Sequence, residues 1–167
     1  RFHLSHTFHT DVLQIRVEYE VPTPKDLPEG APPEEVEQAR EGIARSIAES
    51  LRLAACEMLE LPEMEISSTF RWKASGVEII LFDSVSGGAG YSKKIRELDL
   101  SELFKKAKED ILTCRENCSR SCSKCLRSYS NQAYWNDFRR KEALAWVKGV
   151  SSLKREDPEV KLGASLI

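Results

Sequence analysis

Residues 114–125 read CRENCSRSCSKC and hold four of the five cysteines of the chain, spaced C-x3-C-x3-C-x2-C. Every residue between these cysteines is polar or charged, so the loop cannot fold by burying apolar side chains. Four thiolates can converge on one tetrahedral Zn²⁺, with Zn–S distances of about 2.3 Å and no position left for water. Soft sulfur ligands argue against calcium and magnesium. The spacing therefore predicts a structural Zn²⁺, with an iron–sulfur cluster or disulfides as the alternatives. The predicted ligands are Cys114, Cys118, Cys122 and Cys125.

The length and composition are those of a globular protein of one domain, or of one domain with an extension. The chain has 167 residues, 41% hydrophobic and 31% charged, which is enough to bury a core. It has no apolar run of the roughly 18 residues that a membrane span needs, and its first residues show no signal-peptide h-region, so we expect no export. Five cysteines without an export signal favour a reducing, cytoplasmic compartment and no membrane partner. Because the chain begins at Arg1, we expect it to be a piece of a larger protein.

Charge is distributed unevenly although the net charge is only −2. Residues 25–65 carry eleven acidic and four basic side chains, and residues 114–141 carry seven basic and two acidic ones. A basic end next to the cysteines is a candidate surface for an anionic partner, although most such asymmetries are solvated faces.

Hydrophobic periodicity predicts an α+β fold. Alternating residues indicate a strand at 11–21, and a 3.6-residue stripe from Val36 to Met58 indicates a long helix at 33–61. The apolar run at 77–83 suits the middle of a sheet, and a short turn joins it to a strand at 65–73 as a hairpin. We expect a mixed sheet of three strands, or of four with 2–9 as the fourth, covered by the long helix. Helices near 100–113 and 136–148 flank the cysteines, a Pro-rich loop spans 21–33, and the predicted domain, 1–150, is followed by a tail, 151–167.

Three glycines, Gly87, Gly88 and Gly90, follow the predicted central strand and precede a short helix. Exposed backbone N–H groups in such a loop can hold an anion, so a phosphate or backbone contact is one interpretation. A tight strand-to-helix turn is the other. Asp83 begins this loop and suggests a nuclease carboxylate, but it has no second carboxylate at a readable spacing. The fifth cysteine, Cys56, is predicted to be an unreactive buried thiol.

Several segments together resemble one family. Residues 83–90, DSVSGGAG, resemble the D-x-x-x-G-G-A-G element of the zinc-binding domain at the C-terminus of MrfA-type DNA helicases. Residues 122–132, CSKCLRSYSNQ, resemble the four-cysteine motif of that domain, and residues 137–144 resemble its closing helix. Residues 10–13, TDVL, are similar to the strand that opens the domain in DrmB, the helicase-associated subunit of the DISARM anti-phage system. The YSNQ and TDVL segments favour the DrmB-like side.

The resemblance implies zinc bound by the four cysteines and a place beside or within a DNA-translocating machine. These residues contain no P-loop lysine and no carboxylate pair for magnesium, so we assign no catalytic residue and no enzymatic activity. The expected function is that of a non-catalytic accessory domain in DNA repair or anti-phage defence. Its expected partners are DNA, reached through the parent complex, and a helicase motor subunit or domain. The alternative is a purely structural protein–protein interaction module without DNA contact.

Residues near the cysteines supply the candidate DNA contacts. Basic side chains would meet phosphates and aromatic rings would stack on bases. The candidates are Arg120, Lys124, Arg127, Arg139 and Arg140 for phosphates, and Tyr129 and Trp135 for bases.

Overall fold

The computed structural model describes residues 9–152 and 160–163. Nearly all of the possible strand at 2–9 lies outside these residues. The strands are β1 (Val12–Val17), β2 (Ile66–Lys73), β3 (Gly76–Asp83) and β4 (Val160–Gly163). The α-helices are α1 (Pro33–Met58), α2 (Tyr91–Arg96), α3 (Leu100–Lys106) and α4 (Arg140–Ser152), with a π-helix at Ala107–Leu112 and a 3₁₀-helix at Tyr129–Tyr134. The α+β prediction is confirmed.

The four described strands form one sheet in the order β2-β3-β1-β4. Every described pair is antiparallel, so the sheet is not mixed as predicted. The reason is that β1 and β2, which α1 connects, run in the same direction but are not neighbours, because β3 lies between them. The central position of β3 and its hairpin with β2 are confirmed.

The long helix α1 covers one face of the sheet. Acidic Glu34 and Glu35 lie in its first turn, where their negative charges interact favourably with the positive end of the helix dipole. The predicted stripe lies in the core from Ala39 to Ala54, and from Ile43 to Cys56 every side chain except that of Arg45 is buried. This extended burial arises because α1 packs against the sheet and also against α3, α4 and the π-helix. The helix is therefore the element that joins the sheet to the cysteine loop.

A close backbone approach holds the segment before α4 against α1. A Cβ atom at Gly42 would lie 2.1 Å from the backbone oxygen of Asp137, so only glycine fits there. The backbone N–H of Arg139 also donates to the Ser46 hydroxyl at 2.8 Å. Both contacts fix the part of the chain that follows the cysteines.

Several element boundaries differ from the predictions. The strand at 11–21 is only Val12–Val17, and the helix at 100–113 changes from α to π geometry at Ala107. The last helix begins at Arg140 and not near 136, because a turn and irregular chain follow the 3₁₀-helix, which ends at Tyr134. Within the predicted tail, β4 pairs with β1. Among the described residues, no helix has the length and apolar character needed to cross a bilayer.

Candidate metal centre

The four clustered cysteines converge on one point. Their Sγ atoms all lie within 4.8 Å of one another, and three of the separations are 3.6, 3.6 and 3.7 Å. Those separations are far longer than the roughly 2.05 Å of a disulfide bond, and all five cysteines are free. The disulfide alternative therefore does not describe this loop.

The sulfur positions fit a single tetrahedral ion. Four sulfur atoms at about 2.3 Å from Zn²⁺ lie about 3.8 Å from one another, close to the separations found here. A cluster of several irons needs more space, because irons and sulfide ions then lie between the thiolates, and thiolates bound to different irons are farther apart than thiolates bound to one ion. Donor type and geometry together fit Zn²⁺.

Unusual backbone geometry brings the first ligand into place. The π-helix Ala107–Leu112 leads directly to the loop, and Thr113 closes it with hydrogen bonds from its backbone N–H and its hydroxyl to the Lys108 carbonyl. Cys114 and Asn117 then adopt positive φ angles of 28° and 45°. Such angles cost energy in non-glycine residues, so the surrounding contacts must hold them.

The thiols differ in how readily they ionise. Burial opposes ionisation of Cys114, but hydrogen bonds, first from the backbone N–H of Cys118, outweigh it and lower the pKa of Cys114 to about 7. Burial raises the pKa of Cys118 and of Cys125. A bound divalent cation would favour the thiolate form of all four, and metal binding would release protons.

Two of the candidate DNA-contacting arginines are buried, which corrects the prediction for both. Arg139 pairs with Asp26 at 2.9 Å and with Glu142 at 3.1 Å. Arg140 is 2% exposed and donates to the backbone carbonyls of Leu112 and Cys118. The sequence predicted both side chains at the surface, because the packing of α4 into the core is not evident from local sequence patterns.

The remaining candidates lie at or near the surface. Arg120 and Lys124 are exposed, and Tyr129 is 89% exposed. Arg127 and Trp135 are half-buried and contact each other, with the guanidinium carbon 5.3 Å from the ring centroid. The Trp135 indole also donates to the Asn131 side chain at 2.9 Å. Both are thus partly committed to internal contacts.

The glycine loop already holds an anion, which is the carboxylate of Asp83. This fully buried group accepts hydrogen bonds from the backbone N–H groups of Ala89, Tyr91 and Ser92 and from the Ser92 hydroxyl, at 2.6–3.0 Å. Burial alone would raise the pKa of Asp83, but these hydrogen bonds outweigh it and lower the pKa. The tight-turn interpretation of the loop is therefore supported, and an external phosphate is not needed to explain it.

The positive φ angles of the three glycines serve that turn. Gly87, Gly88 and Gly90 have φ angles of 90°, 75° and 81°, and a Cβ atom at Gly88 would lie 2.7 Å from the Asp11 carboxylate. Asp83 is also enclosed on every side, which leaves it no access to a substrate. A nuclease role for Asp83 is not compatible with this burial.

Sequence reasoning missed a buried polar network that joins the cysteine loop to α1. Glu49 accepts two hydrogen bonds from Arg52, at 3.0 and 2.7 Å, one from Ser68 and one from the Asn131 amide at 2.7 Å. Asn131 also donates to the Leu126 carbonyl and accepts from the Ser128 N–H. The signal was present, because Asn131 lies in the SYSNQ segment that carried the resemblance.

A known family matches the part of the chain that contains the four cysteines. Residues 47–126 match the family model of the MrfA Zn-binding domain. The match begins within α1 and ends one residue after Cys125, so it includes Glu49, the Asp83 loop and all four cysteines. The zinc prediction is confirmed by this match together with the sulfur geometry.

Two further comparisons relate the chain to larger proteins. The Druantia protein DruE of Escherichia coli (strain UMEA 4076-1) is 31% identical over 140 residues, covering 79% of this chain and 7% of DruE. The solved structure described as DUF1998 helicase MrfA bound to DNA has a TM-score of 0.47 and 15% identity, covering 76% of this chain and 15% of that one. The chain therefore spans only a small fraction of the length of either relative.

Proposed function

We propose that this chain is a non-catalytic, zinc-stabilised accessory domain of a larger helicase or helicase-associated protein. The match to the MrfA Zn-binding domain and the convergence of the four cysteines support this proposal. In it, a single Zn²⁺ is bound by Cys114, Cys118, Cys122 and Cys125. All four ligand positions are filled by thiolates, so the ion has a structural role and activates no water.

The proposed activity is DNA contact through the exposed cations around the cysteine loop. Within the described residues, Arg115, Lys124 and Lys141 are exposed and have no carboxylate within salt-bridge distance. Arg120 is also exposed, and it donates to the Asn136 carbonyl at 3.1 Å. We call these four residues the knot cations. Their lack of acidic partners is the observation that carries the proposal, because unpaired cations attract phosphates.

Rigidity of the loop favours the same activity. Arg120 is held next to α4, because the Arg140 N–H donates to the Arg120 carbonyl at 3.1 Å. The Lys124 N–H donates to the Cys122 sulfur at 3.4 Å. A backbone already fixed by such contacts loses little entropy when its side chains bind a partner. Tyr129, which is 89% exposed, is the ring best placed to stack on an unpaired base.

The experiment measures DNA affinity of the parent protein against salt concentration for the wild type and an Arg115→Ala, Lys124→Ala, Lys141→Ala variant. Each lost phosphate contact flattens the slope of log affinity against log salt by about 0.9 on duplex DNA, so the slope should change by up to about 3. Affinity should fall for all sequences alike, and the zinc content should not change.

A matched control removes three positive charges elsewhere. Lys93, Lys94 and Lys105 are exposed and lie on α2 and α3. Replacing these three by Ala should leave the salt slope close to wild type. Equal slopes of log affinity against log salt for the wild type and the Arg115→Ala, Lys124→Ala, Lys141→Ala variant would exclude DNA contact at this surface. That result would favour the protein–protein interaction module.

The wider setting is part of the proposal. We infer a role in DNA repair or anti-phage defence, beside a helicase motor in the cytoplasm, from the resemblance of the glycine and cysteine segments. The narrower DrmB-like, DISARM assignment stays a prediction, since the relatives described above are MrfA and DruE. Co-purification of the tagged parent protein with a motor subunit would support that assignment, and a motor domain within the same polypeptide would contradict it.

A further inference from the structure

Among the described residues, Arg140 is the buried arginine whose charge has no acidic partner. The buried arginines of the described residues are Arg52, Arg139 and Arg140. Arg52 pairs with Glu49, and Arg139 pairs with Asp26 and Glu142. Arg140, at 2% exposure, has no carboxylate within salt-bridge distance among the described residues, and its Nε has no hydrogen-bond partner. Burial of an unpaired cation is strongly unfavourable, so a negative charge is needed nearby.

The side chain of Arg140 lies against the cysteine loop. Its Nη1 donates to the carbonyl of Leu112, two residues before the first cysteine, and its Nη2 donates to the carbonyl of Cys118. Its backbone N–H donates to the Arg120 carbonyl. These three contacts span the part of the loop that carries the first two cysteines.

The negative charge that this site lacks is the charge of the metal centre itself. Four thiolates carry −4 and Zn²⁺ carries +2, so the occupied centre has a net charge of −2. We propose that Arg140 is the internal counter-ion of the zinc–thiolate centre. This inference rests on the proposed zinc site and adds a role for a residue outside the ligand set.

Two properties of the centre follow from a nearby fixed cation. It favours the ionised thiolates and so strengthens zinc binding. It also withdraws electron density from the Cys118 sulfur and lowers its reactivity toward electrophiles.

The test separates the charge of Arg140 from its hydrogen bonds to the two carbonyls. Arg140→Lys keeps the positive charge and loses the planar guanidinium group that donates to both carbonyls. Arg140→Gln loses the charge and keeps one hydrogen-bond donor group. Zinc affinity is measured by competition with a chelator, and reactivity is measured as the iodoacetamide alkylation rate of Cys118 in the zinc-loaded protein. Arg139→Gln is the matched control, because Arg139 is also buried but pairs with carboxylates.

For Arg140→Gln we expect zinc affinity to fall about 10- to 100-fold, as for other residues that support metal ligands, and alkylation of Cys118 to become faster. Arg140→Lys should stay within about threefold of the wild type in both measurements. Arg139→Gln should leave both unchanged. Zinc affinity and the alkylation rate of Cys118 respond to the charge of Arg140. Loss of its hydrogen bonds to the two carbonyls alone would lower the free energy of unfolding.

Three outcomes would overturn the inference. Wild-type zinc affinity and alkylation rate in Arg140→Gln would show that the charge has no effect on the centre. A fall in the zinc affinity of Arg140→Lys by about tenfold or more would show that the hydrogen bonds to the carbonyls matter and the charge does not. If Arg140→Gln does not fold, the result for Arg140→Lys alone decides between the two. A wild-type protein without stoichiometric zinc would remove the proposed zinc site as well, so the two failures are distinguishable.

Discussion

The cysteine loop (residues 114–125) and the glycine loop (residues 83–92) each gather several groups around one point. The cysteine loop gathers four thiols whose Sγ atoms lie within 4.8 Å of one another, and the nearby cation of Arg140 contacts backbone carbonyls of Leu112 and Cys118. The glycine loop gathers three N–H groups and one hydroxyl, and the chain supplies the anion between them as the Asp83 carboxylate. A set of converging groups therefore indicates an external ligand only when no side chain of the protein fills the centre.

Loss of a cysteine ligand is expected to have the largest effect, because it removes the ion around which the cysteine loop folds. Replacing Cys114, Cys118, Cys122 or Cys125 by Ser should abolish stoichiometric zinc and destabilise the region from the π-helix to α4. The variant forfeits a share of the roughly 10–16 kcal/mol apparent free energy of structural zinc binding, which here is also folding free energy. Elemental analysis of purified protein measures the metal.

Cys56 provides the matched control for the ligand variants. It is 1% exposed within the core, and burial raises the pKa of its thiol. Cys56→Ser should therefore keep one zinc per chain. Metal loss in this variant, or its retention in any of the four ligand variants, would contradict the assignment.

Removal of the charge of Asp83 is expected to have the next largest effect. Asp83→Asn places an amide N–H₂ where the carboxylate accepted from backbone N–H groups, and we expect a loss of about 3 kcal/mol in the free energy of unfolding. Zinc stoichiometry should stay at one. The exposed Asp110, which pairs with Lys106, is the control, and Asp110→Asn should cost at most about 0.5 kcal/mol.

The pH dependence of Asp83 has a defined sign. Hydrogen bonds keep its folded pKa below the unfolded value, so its contribution to stability is complete above the unfolded pKa of about 3.9. That contribution is lost as the pH falls through the folded pKa. The stability difference between the wild type and Asp83→Asn in urea unfolding should be constant from pH 7 to 5 and narrow below pH 4. A difference that widens on acidification would contradict the assignment.

Disruption of the Asn131 network is expected to have a smaller effect on the free energy of unfolding. It separates the contribution of internal hydrogen bonds near the cysteine loop from that of the ion. Asn131→Ala removes the hydrogen bond to Glu49 and the contacts with Leu126 and Trp135. We expect a loss of about 2 kcal/mol in the free energy of unfolding, with zinc stoichiometry retained. Gln132→Ala, at an exposed neighbouring position, should change stability by less than about 0.5 kcal/mol. A double-mutant cycle with Glu49→Gln should show coupling, and additivity would show that the two residues act independently.

The features that the sequence predicted well depend on local spacing. The four cysteines lie within twelve residues, and the stripe of α1 repeats at helical intervals, so neighbouring residues were sufficient to recognise both. The β2–β3 hairpin also follows from a short turn between two strand patterns. Such patterns constrain structure before any tertiary contact is known.

The features that the sequence did not predict depend on distant contacts. The burial of Arg139 depends on Asp26, which is 113 positions away, and the pairing of Glu49 with Asn131 spans 82 positions. The position of β4 beside β1 likewise joins the two ends of the chain. No local periodicity encodes these contacts, so a basic pair at a helix start was interpreted as a solvent-exposed surface.

Amide hydrogen exchange with and without zinc tests the central claim most directly, because it follows both loops in one sample. After zinc is removed with a chelator, the account predicts that protection is lost across residues 114–126. It predicts that the N–H groups of Ala89, Tyr91 and Ser92, which donate to Asp83, keep their protection. Equal loss in both loops, or no loss in the cysteine loop, would contradict the claim that only the cysteine loop depends on an external ion.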